Sequence, residues 1–273
     1  MKFYYGGSKK EAYQNIACNK TFQHLCRYLY QHEQSILRDL KQNITMPDLE
    51  KTIDTAIELK LVLRENRRYR LMFPVVSKEM SITITQEDAF QVALKQLREE
   101  SPANFLAALN YFYNLTQQDH FYGVMDSISL AGVAVLKSEE LTLISGQVEE
   151  SIRTLPQYFD ALTKEQEAEK SDLYAIIGDV DPIYAGTQFA YIIQRVEQRK
   201  KVRPSIFTQA LIMSEILATD ESGTLQLKIP TLTSGGKNLI TMPSDVFRWQ
   251  LLFAKLLEDR KDNYIQYILL TKN

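Results

Sequence analysis

Several short stretches of this sequence hold residue types that could do chemistry. In "DLYAIIGDVDPIYAG" an apolar run meets Asp179 and Asp181, two carboxylates spaced as in sites that hold Mg²⁺ for phosphoryl transfer. The phosphatase-like form of that motif wants a preceding strand and Thr or Val at a fixed place after it, where this chain has Pro182 and Ile183. Asp181-Pro182 fits better as the N-cap and first position of a helix, "PIYAGTQFAYIIQRVEQRK". "SGGKN" (234–238) lacks the first glycine, the four-residue spacer and the Ser/Thr of a phosphate-binding loop, and reads as a connection between "TLQLKIPTL" and "KNLITMP". Cys18, His24, Cys26 and His32 resemble a ligand set on paper, but on a helix His24 and Cys26 point to nearly opposite faces and cannot converge on one tetrahedral ion. His120 beside Asp119 has no nucleophile partner by motif. The expectation is a non-enzymatic chain with no catalytic residues, no cofactor and no metal. A metal-dependent enzyme using Asp179 and Asp181 ranks third among the readings.

What remains is a charge cluster. "LRENRRYRLMFP" (63–74) sets Arg64, Arg67, Arg68 and Arg70 around Glu65 and Asn66 in a pattern that alternates apolar and polar residues, as a β-hairpin does. Guanidinium groups on a hairpin can grip phosphates or a minor groove, and alternation brings about two of the four to one surface. The other reading leaves them solvated, paired with Glu65 and nearby acids, guarding an edge strand against aggregation. Charge is unevenly spread: residues 1–75 carry 13 Lys+Arg and 8 Asp+Glu, a balance of +5, and the remainder 19 and 26, a balance of −7. A basic first quarter joined to an acidic remainder suits a nucleic-acid-facing module fused to a docking domain.

Three amphipathic segments must position that hairpin. "TFQHLCRYLYQH" spaces Phe22, Leu25, Cys26 and Leu29 as one buried helical stripe. Ser35 is expected to cap a short helix, "ILRDLKQNI". Thr45 with Asp48 has the form of a capping box opening "MPDLEKTIDTAIELKL", with Leu49, Ile53, Ile57 and Leu61 inward. A turn at Glu65-Asn66 then reverses the chain, because Asn tolerates positive φ.

Helix, helix, helix and hairpin is the winged helix-turn-helix order, and "LVLRENRRYRL" resembles the end of the recognition helix and the wing of many bacterial winged-helix regulators. The whole chain is similar to an uncharacterised family of low-GC Gram-positive bacteria, through "LRENRRYRL" and the later "IIGDVDP…RPSIF". The resemblance implies a fold for residues 19–76 and supplies no chemistry. One feature opposes DNA reading: the third helix exposes Asp48, Glu50, Asp54 and Glu58 against Lys51 and Lys60, and carboxylates are repelled by a polyanion.

Residues 77–273 read as a larger helical domain with β-hairpins. "QEDAFQVALKQLREE" and "PANFLAALNYFYNLTQ" are expected helices, and "SISLAGVAVLKSEELTLISG" a hairpin turning at Lys137-Ser138-Glu139. Tyr111, Phe112 and Tyr113, with Phe121 and Tyr122 nearby, could be a base-stacking platform, but consecutive helical residues point in all directions and core packing is favoured. "TKEQEAEK" (163–170) marks a linker or an exposed helix start. The order helix, polar turn, strand and Pro in "RPSIFTQALIMSEILATDESGTLQLKIP" echoes "MPDLEKTIDTAIELKLVLRENRRYRLMFP" and raises a second winged-helix-like unit near 180–232. "DVFRWQLLFAKLLEDR" is expected as an amphipathic helix and "YIQYILL" as a strand paired in the interior or at an interface.

Apolar residues make up 45% of the 273 and charged residues 24%, the balance of a folded chain rather than a disordered one. No stretch offers the roughly 20 apolar residues of a membrane span, "MKFYYGGSKKEAYQN" has no export-signal core, and two cysteines cannot build a secreted disulfide framework. A cytoplasmic location without membrane contact is expected. The sequence thus points to an α+β, mainly α protein: a regulator or accessory factor touching DNA or RNA through Arg64, Arg67, Arg68, Arg70 and Lys51, with the C-terminal domain supplying a partner surface or self-association. The rival is a scaffold whose winged helix docks a protein through the acidic third helix.

Overall fold

The computed structural model describes residues 1–148, 152–163, 168–234, 236–260 and 263–270, and shows a mainly helical α+β protein. The chain divides into two compact units, residues 1–86 with 114–128, and residues 87–113 with 129–273.

The first unit begins with β1 (Lys2–Gly6), α1 (Lys10–Ala17) and α2 (Lys20–His32). Asn19 caps α2 by accepting from the Phe22 N–H at 3.0 Å, and the expected stripe Phe22, Leu25, Cys26 and Leu29 is buried. There follow β2 (Ser35–Ile36), α3 (Leu37–Asn43), α4 (Leu49–Glu58), β3 (Val62–Glu65) and β4 (Arg68–Leu71). Two expected caps are corrected. Ser35 lies buried in β2, and the N-cap of α3 is Ile36, without a side-chain bond. Thr45 does not open α4; Asp48 stands at its N-cap without a side-chain bond to a helix N–H, and its carboxylate accepts from the Thr21 hydroxyl at 2.5 Å, the Asn19 amide at 3.1 Å and the Thr52 hydroxyl at 3.3 Å. A tertiary tie between two helix starts has displaced the local capping box.

β2, β4 and β3 form an antiparallel sheet in that order. The pairing Glu65↔Arg68 leaves Asn66 (φ 49°) and Arg67 (φ 64°) as the two turn residues, one place later than expected. Both are left-handed, the geometry whose twist matches a two-residue hairpin. Next come β5 (Val75–Val76) and α5 (Lys78–Gln86), then α6 (Asp88–Glu99) of the second unit, α7 (Pro102–Thr116), and β6 (His120–Val124) of the first. α5 forms despite its Ile-Thr-Ile-Thr run, and its first residues are held by bonds from the Lys78 N–H to Asp126 (2.9 Å) and from the Met80 N–H to the Ser77 hydroxyl (3.3 Å). β6 is the middle strand of a second sheet, antiparallel to β1 and parallel to β5. From it Phe121 reaches Phe3, Tyr13, Phe22 and Phe73, with ring centroids 4.8–6.2 Å apart, and so joins this sheet to the helices.

In the second unit β7 (Gly132–Lys137) and β8 (Leu141–Gln147) make the expected hairpin. They are followed by α8 (Leu155–Thr163), α9 (Asp172–Ile177), α10 (Pro182–Glu197), α11 (Ile206–Met213), β9 (Leu217–Thr219), β10 (Leu225–Leu227), β11 (Thr231–Leu232), α12 (Val246–Glu258) and β12 (Tyr264–Leu270). β12, the "YIQYILL" strand, lies inside the sheet β11-β12-β8-β7. α12 was expected to bury one stripe; instead most of its circumference is buried, with Trp249 fully inaccessible. Of "TKEQEAEK", residues 164–167 lie outside the described residues, as does Gly235 of "SGGKN". Gly236 and Lys237 donate to the Ala103 carbonyl (3.1 Å) and the Asn104 side chain (3.1 Å) at the start of α7, and "KNLITMP" forms no strand.

The second unit repeats the backbone plan of the first. Leu61 donates back to the Ala56 carbonyl at 2.8 Å as α4 ends, and Ile216 to the Leu211 carbonyl at 2.9 Å as α11 ends. Each following hairpin is closed at its base by one bond, Met72 to the Leu61 carbonyl and Lys228 to the Ile216 carbonyl. Each then passes a proline whose carbonyl is bonded by the central strand, Pro74 by Gly123 and Pro230 by Ile268, and enters a short parallel strand. The orders β1-β6-β5 and β8-β12-β11 correspond strand for strand. α10 packs on α11 and β10 as α2 packs on α4 and β4, but residues 198–205 stand where the first unit has β2 and α3.

Candidate nucleic-acid interface

Strand pairing decides where the four hairpin arginines point. Directly opposed residues share a face, so Leu63, Glu65, Arg68 and Arg70 line one side of the β3–β4 hairpin, while Val62, Arg64, Tyr69 and Leu71 line the other. Tyr69 is buried against the helices, which makes its side the inner one. Arg64 lies on that side near the tip, its guanidinium 5.7 Å from the Tyr69 ring centre. Arg68 and Arg70 project together from the outer face, and Arg67 occupies the turn. All four are exposed, and none lies within salt-bridge distance of a carboxylate among the described residues. Glu65 shares the outer face opposite Arg68 but forms no salt bridge with it.

Lys51 is exposed on α4, away from the hairpin strands, on the wall of an open groove of about 410 Å³ between α1 and α4. Ala12, Asn15 and Ile16 form one side of that groove, and Thr52, Thr55 and Glu58 join Lys51 on the other.

The electrostatic objection raised by the acids of this helix is smaller in three dimensions. Bonds from the Thr21 hydroxyl first, then the Asn19 amide, hold the Asp48 carboxyl below its ordinary range and engage it within the protein. Glu50 faces Lys41 of α3 at 2.5 Å. Asp54 and Glu58 are the acids of α4 without a salt bridge among the described residues.

The other candidates are dispersed. Asp181 caps α10, accepting from the Tyr184 N–H at 2.8 Å, and Pro182 fills the first helical position, as the sequence led us to expect. Asp179 adds to the influences on the Tyr158 phenol, which burial first and Tyr174 next push up to about 12 while its hydroxyl donates to the Gly178 carbonyl. Cys26 is buried in the core and Cys18 exposed, and no group of three or more His, Cys, Asp or Glu side chains suited to a metal occurs among the described residues. Asp119 accepts from the Ser8 N–H and hydroxyl, and the His120 ring lies 2.8 Å from the Gln118 carbonyl. Phe112, Phe121 and Tyr122 are core residues, so the imagined platform of consecutive aromatics does not exist.

One cluster escaped the sequence reading. Arg195 stands in the last turn of α10, and Arg199, Lys200, Lys201 and Arg203 follow in the connection to α11, with Glu197 as the single acid among them. A charge count over short windows finds it; averaging over the acidic remainder of the chain hides it.

Residues 2–101 match the model of a family described as a domain of unknown function, DUF1803. No curated protein and no solved structure matches the chain. The matched stretch contains α1 to α4 and the arginine hairpin, and ends before the "IIGDVDP" and "RPSIF" segments. Among the described residues no helix is long and apolar enough to cross a membrane.

Proposed function

We propose that this chain is a non-enzymatic, cytoplasmic regulator or accessory factor whose first unit carries a winged-helix module that contacts nucleic acid through its wing. The order α2-β2-α3-α4-β3-β4, with β2 beside β4 and β3 at the edge, supports the winged-helix reading. The observation that carries the functional reading is the exposed arginine hairpin, which has no salt-bridge partner among the described residues. Positive charge left uncompensated on an ordered strand pair is available to phosphates, and its binding releases condensed counterions. Arg68 and Arg70 on the outer face, with Arg67 at the tip, form the gripping set; Arg64 contributes from the other face near the tip, and Lys51 makes a separate contact from α4.

The test is fluorescence anisotropy of a labelled random duplex across a salt series, comparing the wild-type chain with Arg67→Ala/Arg68→Ala. Binding should weaken steeply with salt, and the double variant should lower the slope of log affinity against log salt by about one to two. Absence of binding at low salt would sink the proposal.

A second reading rests on the groove between α1 and α4. Exposed Asp54 and Glu58 on α4 suit a basic protein segment better than a polyanion. Loss of a protein partner on Glu58→Lys, in the groove wall, with the hairpin variant unaffected, would favour that scaffold role.

A further inference from the structure

We infer that the second unit carries its own nucleic-acid contact, formed by the connection Arg199–Arg203 and the exposed tyrosines of α10, and that it is built for a single strand. This inference does not depend on the wing of the first unit.

Its charge is concentrated and free. Arg199, Lys200, Lys201 and Arg203 are exposed, and none lies within salt-bridge distance of a carboxylate among the described residues. The helix that follows, α11, corresponds to α4 in the repeated plan but contains no acidic residue, so the repulsion that weighs against α4 is missing here.

The connection is also ordered by its own bonds. Arg195 donates from Nε and Nη2 to the Lys201 carbonyl at 3.0 and 2.7 Å, and from Nη1 to the Tyr191 hydroxyl at 3.3 Å. Arg199 takes a left-handed conformation (φ 54°) as α10 ends, and the Lys200 N–H bonds back to the Arg195 carbonyl at 2.8 Å. Arg195 is thereby engaged in holding the loop, and the four cations after it project from a fixed backbone. Little ordering entropy would be lost on binding.

Two aromatic rings continue the same surface. Tyr184 and Tyr191 lie two turns apart on α10, in one stripe with Arg195, and are 53% and 56% exposed. The Tyr184 ring meets Phe207 of α11 edge-on at 5.7 Å, and Arg195 lies 5.5 Å from the Tyr191 ring centre. Braced, exposed rings beside a basic track are the combination by which proteins bind single strands: phosphates follow the cations and unpaired bases stack on the rings. A duplex hides its base faces and could not use the tyrosines. A lipid surface fits less well, because the apolar faces of α10 and α11 carrying Phe189, Ile193, Phe207 and Leu211 are turned into the core, leaving Ile183, Ile206, Ile212 and Met213 as the exposed apolar side chains.

The experiment uses the full chain and a labelled oligothymidylate of about 20 nucleotides, longer than the roughly 4–16 nucleotides such surfaces cover. Lys200→Ala/Lys201→Ala should weaken binding at least about tenfold and reduce the salt slope by about one to one and a half. Tyr184→Ala/Tyr191→Ala should weaken it by about tenfold or more with the salt slope kept, and Tyr184→Phe/Tyr191→Phe should restore it. The substituted side chains are exposed, so an unchanged melting temperature will show that the fold is intact. Arg67→Ala/Arg68→Ala should leave most of the single-strand affinity in place, which separates failure of this site from failure of the wing. The inference is overturned if the oligonucleotide does not bind, if the lysine and tyrosine variants bind it as the wild type does, or if phosphatidylserine vesicles bind the chain through the same lysines while the oligonucleotide does not.

Discussion

Lys60 and Glu215 occupy the same backbone position in the two units: each is the single left-handed residue, at φ 60° and 58°, between a helix and the hairpin that follows it. A side chain there crowds the next carbonyl at a cost of about 1–2 kcal/mol, which glycine avoids. Lys60→Gly should therefore raise stability by about 1 kcal/mol, after the glycine's larger unfolded-state entropy is subtracted. Glu215→Gly should gain less, because Glu215 also accepts from Lys228 at 2.7 Å. Urea midpoints of the two variants should rank in that order.

Gly7 and Gly223 separate strain from crowding. Both have positive φ, 87° and 81°, but a Cβ on Gly7 would lie 2.1 Å from the Asp119 carboxylate and 2.5 Å from its backbone, whereas at Gly223 it would meet nothing within 4 Å. Gly223→Ala should cost about 1 kcal/mol from conformation alone, and Gly7→Ala clearly more, since Asp119 must move. Chemical denaturation of the two variants measures the difference.

Acid should loosen the first unit through Asp119. Its bonds from the Ser8 hydroxyl and then the Ser8 N–H hold the carboxyl below its ordinary value of 3.8. A group with a depressed folded pKa stabilises the protein above the unfolded value and loses that contribution as pH falls through the folded one. Asp119→Asn should be less stable than wild type at neutral pH, and the gap should close below pH 3.8. Thermal melts of both proteins on an acid series will show whether the curves converge.

Phe121 is the ring most costly to lose from the first unit. It meets five other aromatic rings, those of Phe3, Tyr5, Tyr13, Phe22 and Phe73, so Phe121→Ala should destabilise by about 3–5 kcal/mol, and Phe121→Leu by much less. A shallow loss on Phe121→Ala would mean that these helices do not depend on β6.

The faces of the hairpin predict unequal arginines. Arg68→Ala and Arg70→Ala should each lower the salt slope of duplex binding by about one, while Arg64→Ala, on the Tyr69 side, should change it less. Equal effects at all four positions would contradict a single gripping face.

The helices of the first unit were legible because each buries one stripe at helical spacing, as Phe22, Leu25, Cys26 and Leu29 do. The arginine hairpin was legible from alternation, although its turn fell one residue later because the pairing Leu63↔Arg70 and Tyr69's burial fix the register. β1, β5 and β6 were not read as strands. Each is short, and each exists through partners far away in the sequence, which no local pattern announces. Asp48 looked like part of a capping box and an obstacle to DNA because its real partners, Thr21 and Asn19, belong to an earlier helix. The basic connection after α10 was missed because its charge was summed together with that of an acidic domain.

The pairing of β1 with β6 joins residues 2–6 to residues 120–124, so the first strand made is completed by one whose paired residues follow 114 (Gly6 to His120) to 122 (Lys2 to Val124) positions later. During synthesis β1 must wait, its edge open, while α1 to α4 and the arginine hairpin can already collapse around Phe22 and Leu25. Closure of such a distant pair is entropically slow, which makes docking of β6 the natural late step in maturation of this half. β8 faces a similar delay before β12 arrives, so the chain meets the same kinetic bottleneck twice.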